Sequence, residues 1–382
     1  MKPIFAAVLA ALLISGCSTF QQVLPAKDMN PPKALKEFKP TVGVKTLWQV
    51  STGSSAGKDY VRINPYIDEN TVIVAGGRSV SAWNKNNGAK LWQVGLDEEL
   101  SGGVSGTGSL ILVGSNNGGA FALDRQSGKV VWKQRLTSEV VAISPPANGI
   151  AAFRTSDGRL SGLNLQSGEV LWQQVRQGSP LSLRGASTPV TVGGMVIAGF
   201  DSGVVTAFDM QSGRALWEAT LSVPRGQGDL DSVTDVDGKM KAVGEALFAA
   251  SYNGLIMGIN MRDGKPAWSA PYSSYSGLDA DANGVYTTSI SGLFWKLDPQ
   301  TGKPVWKMDD LERRQLTAPT IVGNYVVVGD YKGVLHWINT STGLLAARVQ
   351  GDPAGYTVAP VLDGNVIYTL GRSGVLSAVA LQ

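Results

Sequence analysis

Apolar residues in this chain come in short runs of four to six, broken by turn-forming residues, and the runs recur at a regular interval. The segment GGAFALDRQSGKVVW (118–132) shows the unit. Phe121 and Leu123 alternate with smaller residues, the period of a half-buried strand. Asp124 ends that strand, with a side chain suited to capping the backbone N–H groups of a turn. Gly128 supplies the φ > 0 residue that a short hairpin loop needs. Trp132 follows on the returning strand.

The same register repeats. Gly stands four residues before Trp at Gly88/Trp92, Gly128/Trp132, Gly168/Trp172, Gly213/Trp217, Gly264/Trp268 and Gly302/Trp306. A seventh copy pairs Gly343 with Ala347. Asn or Asp precedes each Gly by four residues, and another Gly stands six residues earlier in every copy but the first, where Arg78 replaces it. Two further apolar runs precede each unit, such as PVTVGGMVIAG (189–199). About four antiparallel strands therefore fill each repeat of roughly 40 residues, the size of a propeller blade. Pro266 and Pro304, two residues before their Trp, suit an outermost strand with one free edge.

Counting the copies predicts an all-β, eight-bladed β-propeller of four-stranded antiparallel blades. After Ala347 the chain still writes three strands but no Trp strand, whereas KTLWQVS (45–51) is a Trp strand with no blade before it. The N-terminal strand is thus expected to complete the last blade and close the ring. The repeated Trp reads as packing between neighbouring blades. Trp83, Trp295 and Trp337 fall outside this register; packing is the expected role, with surface contact as the lesser alternative.

Ahead of the repeats, Ile4 to Ile14 is an unbroken apolar run preceded by Lys2, the length of a signal-peptide core and too short to span a bilayer. It leads into Leu13-Ile14-Ser15-Gly16-Cys17. Small residues before a lone Cys resemble a bacterial lipobox, which implies cleavage before Cys17, acylation of its thiol and amine by chains such as palmitate, and stable membrane anchoring. Ser18 in the next place suggests delivery to the outer membrane, facing the periplasm. Three parts follow: residues 1–16 as lipoprotein signal peptide, 17–40 as lipidated N-terminus and Pro-rich tether, and 41–382 as propeller.

Composition narrows the chemistry. The 33 Lys and Arg against 30 Asp and Glu give +3, too near balance to imply nucleic-acid binding. Single Cys17 and His336 leave no disulfide framework, no Cys/His metal cluster and no Cys–His dyad within the chain. Ser55 and Lys58 match S-x-x-K without its partner motifs. No cofactor, metal site or catalytic residue is expected, and His336 receives no role.

Departures from the repeat point elsewhere. Spacings between successive Trp residues are 44, 40, 40, 45, 51 and 38, and the two longest follow Trp172 and Trp217. Both insertions come after a Trp strand, so both should project from one face of adjacent blades. The first, GSPLSLRGAST (178–188), carries Leu181, Leu183 and Arg184; the second, PRGQGDLDSVTDVDGKMK (224–241), carries Asp229, Asp231, Asp235 and Asp237. Apolar anchors flanked by opposite charges predict a protein-binding surface.

The unit A-x-D-x-x-[ST]-G-x-x-x-W resembles the repeat of quinoprotein (PQQ-dependent) dehydrogenases, which speaks to fold rather than activity. Those enzymes are larger and carry an adjacent-cysteine disulfide that this chain cannot form. A membrane-tethered quinoprotein-like enzyme or ligand sensor is the alternative reading, and an envelope polysaccharide-binding propeller a weaker one. The lipobox, tether, LSLRG loop (181–185), DVD segment (235–237) and LTAPTIVGNYVVVGDYKGVLHWIN (316–339) together resemble the BamB family, a lipoprotein subunit of the outer-membrane β-barrel assembly machinery of Gram-negative bacteria. Ala347, and Gly-Lys-Met after the DVD segment, depart from the family pattern. The resemblance implies a non-enzymatic scaffold that binds periplasmic POTRA domains of the barrel subunit BamA through Leu181, Leu183 and Arg184, with Asp235 and Asp237 supporting or extending the contact. It also implies the other subunits of the complex as partners, and unfolded outer-membrane proteins arriving for insertion.

Overall fold

The computed structural model describes residues 30–53, 62–176, 187–222, 234–289 and 291–382. The described strands form eight four-stranded antiparallel sheets, each a consecutive stretch of chain except one. Blade 1 runs from Tyr66 to Gly95, blade 2 from Leu100 to Arg135, and blade 3 from Val140 to Val175. Blades 4 to 7 are Val190–Thr220, Lys241–Ala270, Leu278–Met308 and Thr320–Gln350. Blade 8 joins Val361–Asp363, Val366–Leu370 and Val375–Leu381 to the N-terminal strand Val44–Ser51. That closure follows the sequence prediction, in a ladder from Val44 opposite Leu381 to Ser51 opposite Val375.

Second strands, and third strands in all blades but the sixth, are buried on both faces along their middle residues, because neighbouring blades cover them. Their Val, Ile, Leu and Ala side chains therefore fill the spaces between blades instead of one central core.

The register Trp holds adjacent blades together in two ways. Its ring covers the turn glycine of the next blade: Gly168 has φ +75°, and a Cβ there would come within 2.6 Å of the Trp132 ring. Its indole N–H then donates to a carbonyl of that same turn. Trp132 reaches Leu165 O (2.9 Å), Trp172 reaches Met210 O (2.9 Å) and Trp217 reaches Met261 O (2.7 Å). Trp48, Trp92, Trp268 and Trp306 repeat the bond. Blade 7 has no such turn to reach, because blade 8 is where the chain's two ends meet, and there the Trp is replaced by Ala347.

Trp337 fills the vacated space. It pairs directly opposite Ala347, whereas the other blades except blade 6 set a small residue opposite the Trp, as in Ala122 with Trp132 and Gly162 with Trp172. Trp83 and Trp337 are buried, as packing residues are; Trp295 is half-exposed, its ring 4.6 Å from that of Tyr272.

Outer strands leave an apolar residue in solvent just before the Trp, including Leu91, Val131, Leu171 and Val305. Ala346 in blade 7 is 1% exposed instead. The segment from Pro32 to Val42, expected up to Pro40 as tether, lies along this strand. Thr41 N donates to Ala346 O (2.9 Å), Arg348 donates to Lys36 O (2.6 Å) and its guanidinium sits 4.8 Å from the Phe38 ring centre. Lys33 and Lys36 pair with Asp309 and Asp310.

Candidate partner-binding face and central cavity

Each blade hands the chain from its outer strand to the inner strand of the next blade across one face of the ring. Outer strands end beside the turns between second and third strands: Arg176 N donates to Gly158 O, and Leu221 N to Gly203 O. The chain therefore enters both insertions from this face; residues 177–186 and 223–233 themselves lie outside the described residues. Leu181, Leu183 and Arg184 lie outside the described residues, as does Cys17.

Asp235 and Asp237 are described, and their expected exposure is corrected. Both are buried, at 0% and 3% exposure. The reason is local: residues 234–240 run inward over blades 4 and 5 instead of out into solvent. Tyr252 N donates to Asp235 O (2.9 Å), Val236 N to Phe200 O (3.3 Å) and Lys239 N to Ser276 O (3.2 Å). Gly238 and Gly277 permit this path, since a Cβ on Gly277 would lie 2.0 Å from Lys239 N.

Beneath this strip lies a buried charge cluster. Arg154, on the second strand of blade 3, pairs through one arm with Asp201 in the turn of blade 4. Its other arm stands 3.9 Å from Asp237 Oδ1, an ion-pair distance too long for a hydrogen bond. Burial, augmented by Asp235 and Asp201 and opposed by Arg154 and Arg62, pushes the Asp237 carboxyl up to about 8.

Asp237 also lines a cavity of about 870 Å³ along the propeller axis. Inner strands of blades 4 to 8 form much of its wall. Lys239 and Lys241 project into it and share Asp279, at 3.1 and 3.5 Å. Arg62 reaches from the entrance of blade 1 to that of blade 6, stacking 4.1 Å over the Tyr275 ring.

Sequence reasoning missed Arg62, Arg154 and Asp201. For Arg154 the signal was present: it is the one charge in the buried second strands, and a buried charge requires a partner. For Arg62 the signal was weak. Fourteen residues (52–65) join blade 8 to blade 1, as many as join blade 3 to blade 4 (176–189), but a Trp spacing of 44 did not stand apart.

The family model described as outer membrane protein assembly factor BamB matches residues 76–308. An outer membrane protein assembly factor BamB from Pseudomonas aeruginosa is 39% identical over 379 residues, covering 99% of this chain and 98% of the relative. The chain belongs to the BamB family. The crystal structure of BamB from Moraxella catarrhalis matches with a TM-score of 0.81 at 26% identity, over 88% of this chain and all of that one. A quinohemoprotein alcohol dehydrogenase from Comamonas testosteroni matches with a TM-score of 0.66 at 13% identity, over 88% of this chain and 76% of that one. The second likeness is one of fold alone. Among the described residues no group of three or more His, Cys, Asp or Glu is placed to hold a metal ion.

Proposed function

We propose that this chain is a non-enzymatic scaffold of the outer-membrane β-barrel assembly machinery, anchored by lipid at Cys17 and facing the periplasm. Near full-length likeness to relatives named outer membrane protein assembly factor carries the reading. Leu181, Leu183 and Arg184 form the surface for a POTRA domain of BamA, two apolar anchors beside a charge that selects an acidic partner. Asp235 and Asp237 are buried with the strip 234–240, which backbone bonds fasten to blades 4 and 5, and do not touch the partner.

The exposed outer strands supply a second surface. Their free backbone edges and solvent-facing apolar residues suit the pairing of an extended segment of an unfolded barrel protein.

Co-purification from detergent-solubilised outer membranes tests the docking site. Arg184→Glu should abolish recovery of BamA while leaving the β-sheet circular dichroism spectrum unchanged. Undiminished recovery removes the assignment. Cys17→Ala should move the protein from the membrane to the soluble periplasmic fraction.

A further inference from the structure

Blade 7 differs from its neighbours in being covered by the chain's own segment 32–42. Leu35, Phe38 and Val42 of that segment are half-buried, and the residues between them are mostly exposed. Lys33 N donates to Glu312 O (3.0 Å) at one end, and Thr41 N to Ala346 O (2.9 Å) at the other. Between these points two arginines hold the segment by its carbonyls. Arg314 Nη1 donates to Lys33 O (3.1 Å) and Arg348 Nη1 to Lys36 O (2.6 Å). A cover so short and so exposed belongs to the low-stability end of a fold, where opening needs no global unfolding.

Both arginines are set by one buried histidine. Asp330 Oδ2 accepts from Arg314 Nε (2.7 Å) and from His336 Nε2 (3.0 Å), while its Oδ1 accepts from Lys332 N and Val334 N. His336 Nδ1 in turn accepts from Arg348 Nε (3.2 Å). Arginine only donates, so this bond exists only while the imidazole is neutral with its proton on Nε2. A second proton, on Nδ1, sets N–H against N–H and adds a positive charge between Arg314 and Arg348. Asp330 is already engaged through both oxygens. Around this core Lys33 and Lys36 face Asp309 and Asp310, Arg348 also feels Asp310, and Asp352 and Tyr356 approach Asp330 from the link into blade 8. Burial, reinforced by both arginines, keeps His336 neutral at pH 7.5. Arg348 Nη2 is buried without a partner, so moving this side chain into water both ends the conflict and hydrates a bare donor.

We propose that His336 is an acid-sensitive latch for the segment 32–42: a proton taken from solvent onto Nδ1 displaces Arg348, which lets go of Lys36 O and Phe38, and the segment lifts from blade 7. Linkage gives the sign. With Arg348 gone the imidazole accepts a proton more readily, so acid favours the lifted state. Lifting uncovers Ala346, which is 1% exposed beneath the segment, and leaves the outer edge of blade 7 as open as those of the other blades. It also frees residues 32–42, up to about 40 Å of extended chain, to lengthen the tether. The added reach rests on the lipid anchor proposed at Cys17; the latch does not.

Hydrogen exchange of the purified full-length protein tests the latch, read by mass spectrometry from pH 7.5 to 5 and corrected for the intrinsic pH dependence of exchange. Protection of a peptide spanning 32–42 should fall at least threefold in wild type, roughly what linkage allows for a partial shift of one titrating group. Peptides from blades 2 and 3 should keep theirs. Lys33 holds the Asp309 carboxyl below its ordinary 3.8, so that ion pair persists across this range. His336→Asn, which takes up no proton, should give pH-independent protection. Arg348→Ala should show at pH 7.5 the low protection that wild type reaches at pH 5, with no further fall. Constant protection in wild type, or a fall of equal size in either variant, would overturn the proposal. Fractionation of Cys17→Ala reads the anchor separately, so the two can fail independently.

Discussion

Trp337 faces Ala347 across the third and outer strands of blade 7, the reverse of Ala122 facing Trp132 in blade 2. The pair exchanges volume between two strands while keeping the sum, which is how cores tolerate substitution. Trp337→Ala alone should destabilise by about 3–5 kcal/mol and Ala347→Trp alone by about 1–3 kcal/mol. The double variant, with the ordinary blade arrangement restored, should be more stable than their sum predicts. Urea unfolding of the four proteins measures the coupling; strict additivity would mean that the two residues do not share one space.

His336 links two arginines through a buried chain. Its Nε2 lies 3.0 Å from Asp330 Oδ2, which also accepts from Arg314 Nε (2.7 Å), and its Nδ1 accepts from Arg348 Nε (3.2 Å). Burial, reinforced by Arg348 and Arg314 and opposed by Asp330, holds the imidazole below its ordinary 6.5. An unfolded chain takes up a proton near 6.5 that the folded chain refuses, so this group costs stability as pH falls below about 6.5. His336→Asn should flatten the loss between pH 6.5 and 5 relative to wild type, read from urea midpoints. Identical slopes would exclude this role.

Asp237 contributes the opposite slope. Its folded value near 8 exceeds the ordinary 3.8, so folding favours a proton that the unfolded chain has released. Stability from this group falls as pH rises from about 4 to 8 and levels above that. The advantage of Asp237→Asn over wild type should therefore grow across that window. A constant difference from pH 5 to 8 would show that the carboxyl is already ionised.

Gly168 and Trp132 form a dependent pair. Gly168→Ala forces a Cβ against the indole at a φ of +75° and should destabilise by more than about 1 kcal/mol. In a Trp132→Phe background, where the ring is smaller and the bond to Leu165 O is gone, the same change should cost less. Thermal melts suffice, and an equal cost in both backgrounds would leave only backbone strain.

Arg348→Ala should release the segment before blade 8. Loss of the contacts to Lys36 O and Phe38 predicts faster tryptic cleavage after Lys36, with the blades otherwise resistant. Unchanged cleavage would show that Thr41 and Lys33 hold the segment without it.

Much of this fold was written in local signals. The Gly, Asx and Trp of each repeat act on turns and adjacent blades, so a regular register sufficed to count blades and to place the closing strand. Even the Trp337–Ala347 exchange could be read by aligning the residue two places before each Asx: Ala82, Ala122, Gly162, Ala207, Gly258, Lys296 and then Trp337. The burial of Asp235 and Asp237 could not. It depends on Phe200, Tyr252 and Ser276, in blade 4, blade 5 and the link into blade 6, which meet the strip only once those neighbours have packed. An acidic segment inside an insertion reads as solvated until its long-range partners are known.

The closing strand also determines how the molecule bears load. Gln382 N donates to Gly43 O, so the ends of the chain meet in a single ladder. The segment from Pro32 descends along blade 7 and then reverses into Val44–Ser51. A pull on the chain ahead of Pro32 would, without other contacts, unzip that ladder one rung at a time from Val44. Asp309, Asp310, Arg314 and Arg348 intercept the force first, through Lys33 and Lys36. The link between blades 6 and 7, with Arg348 of blade 7, thus serves as strain relief for the joint in blade 8.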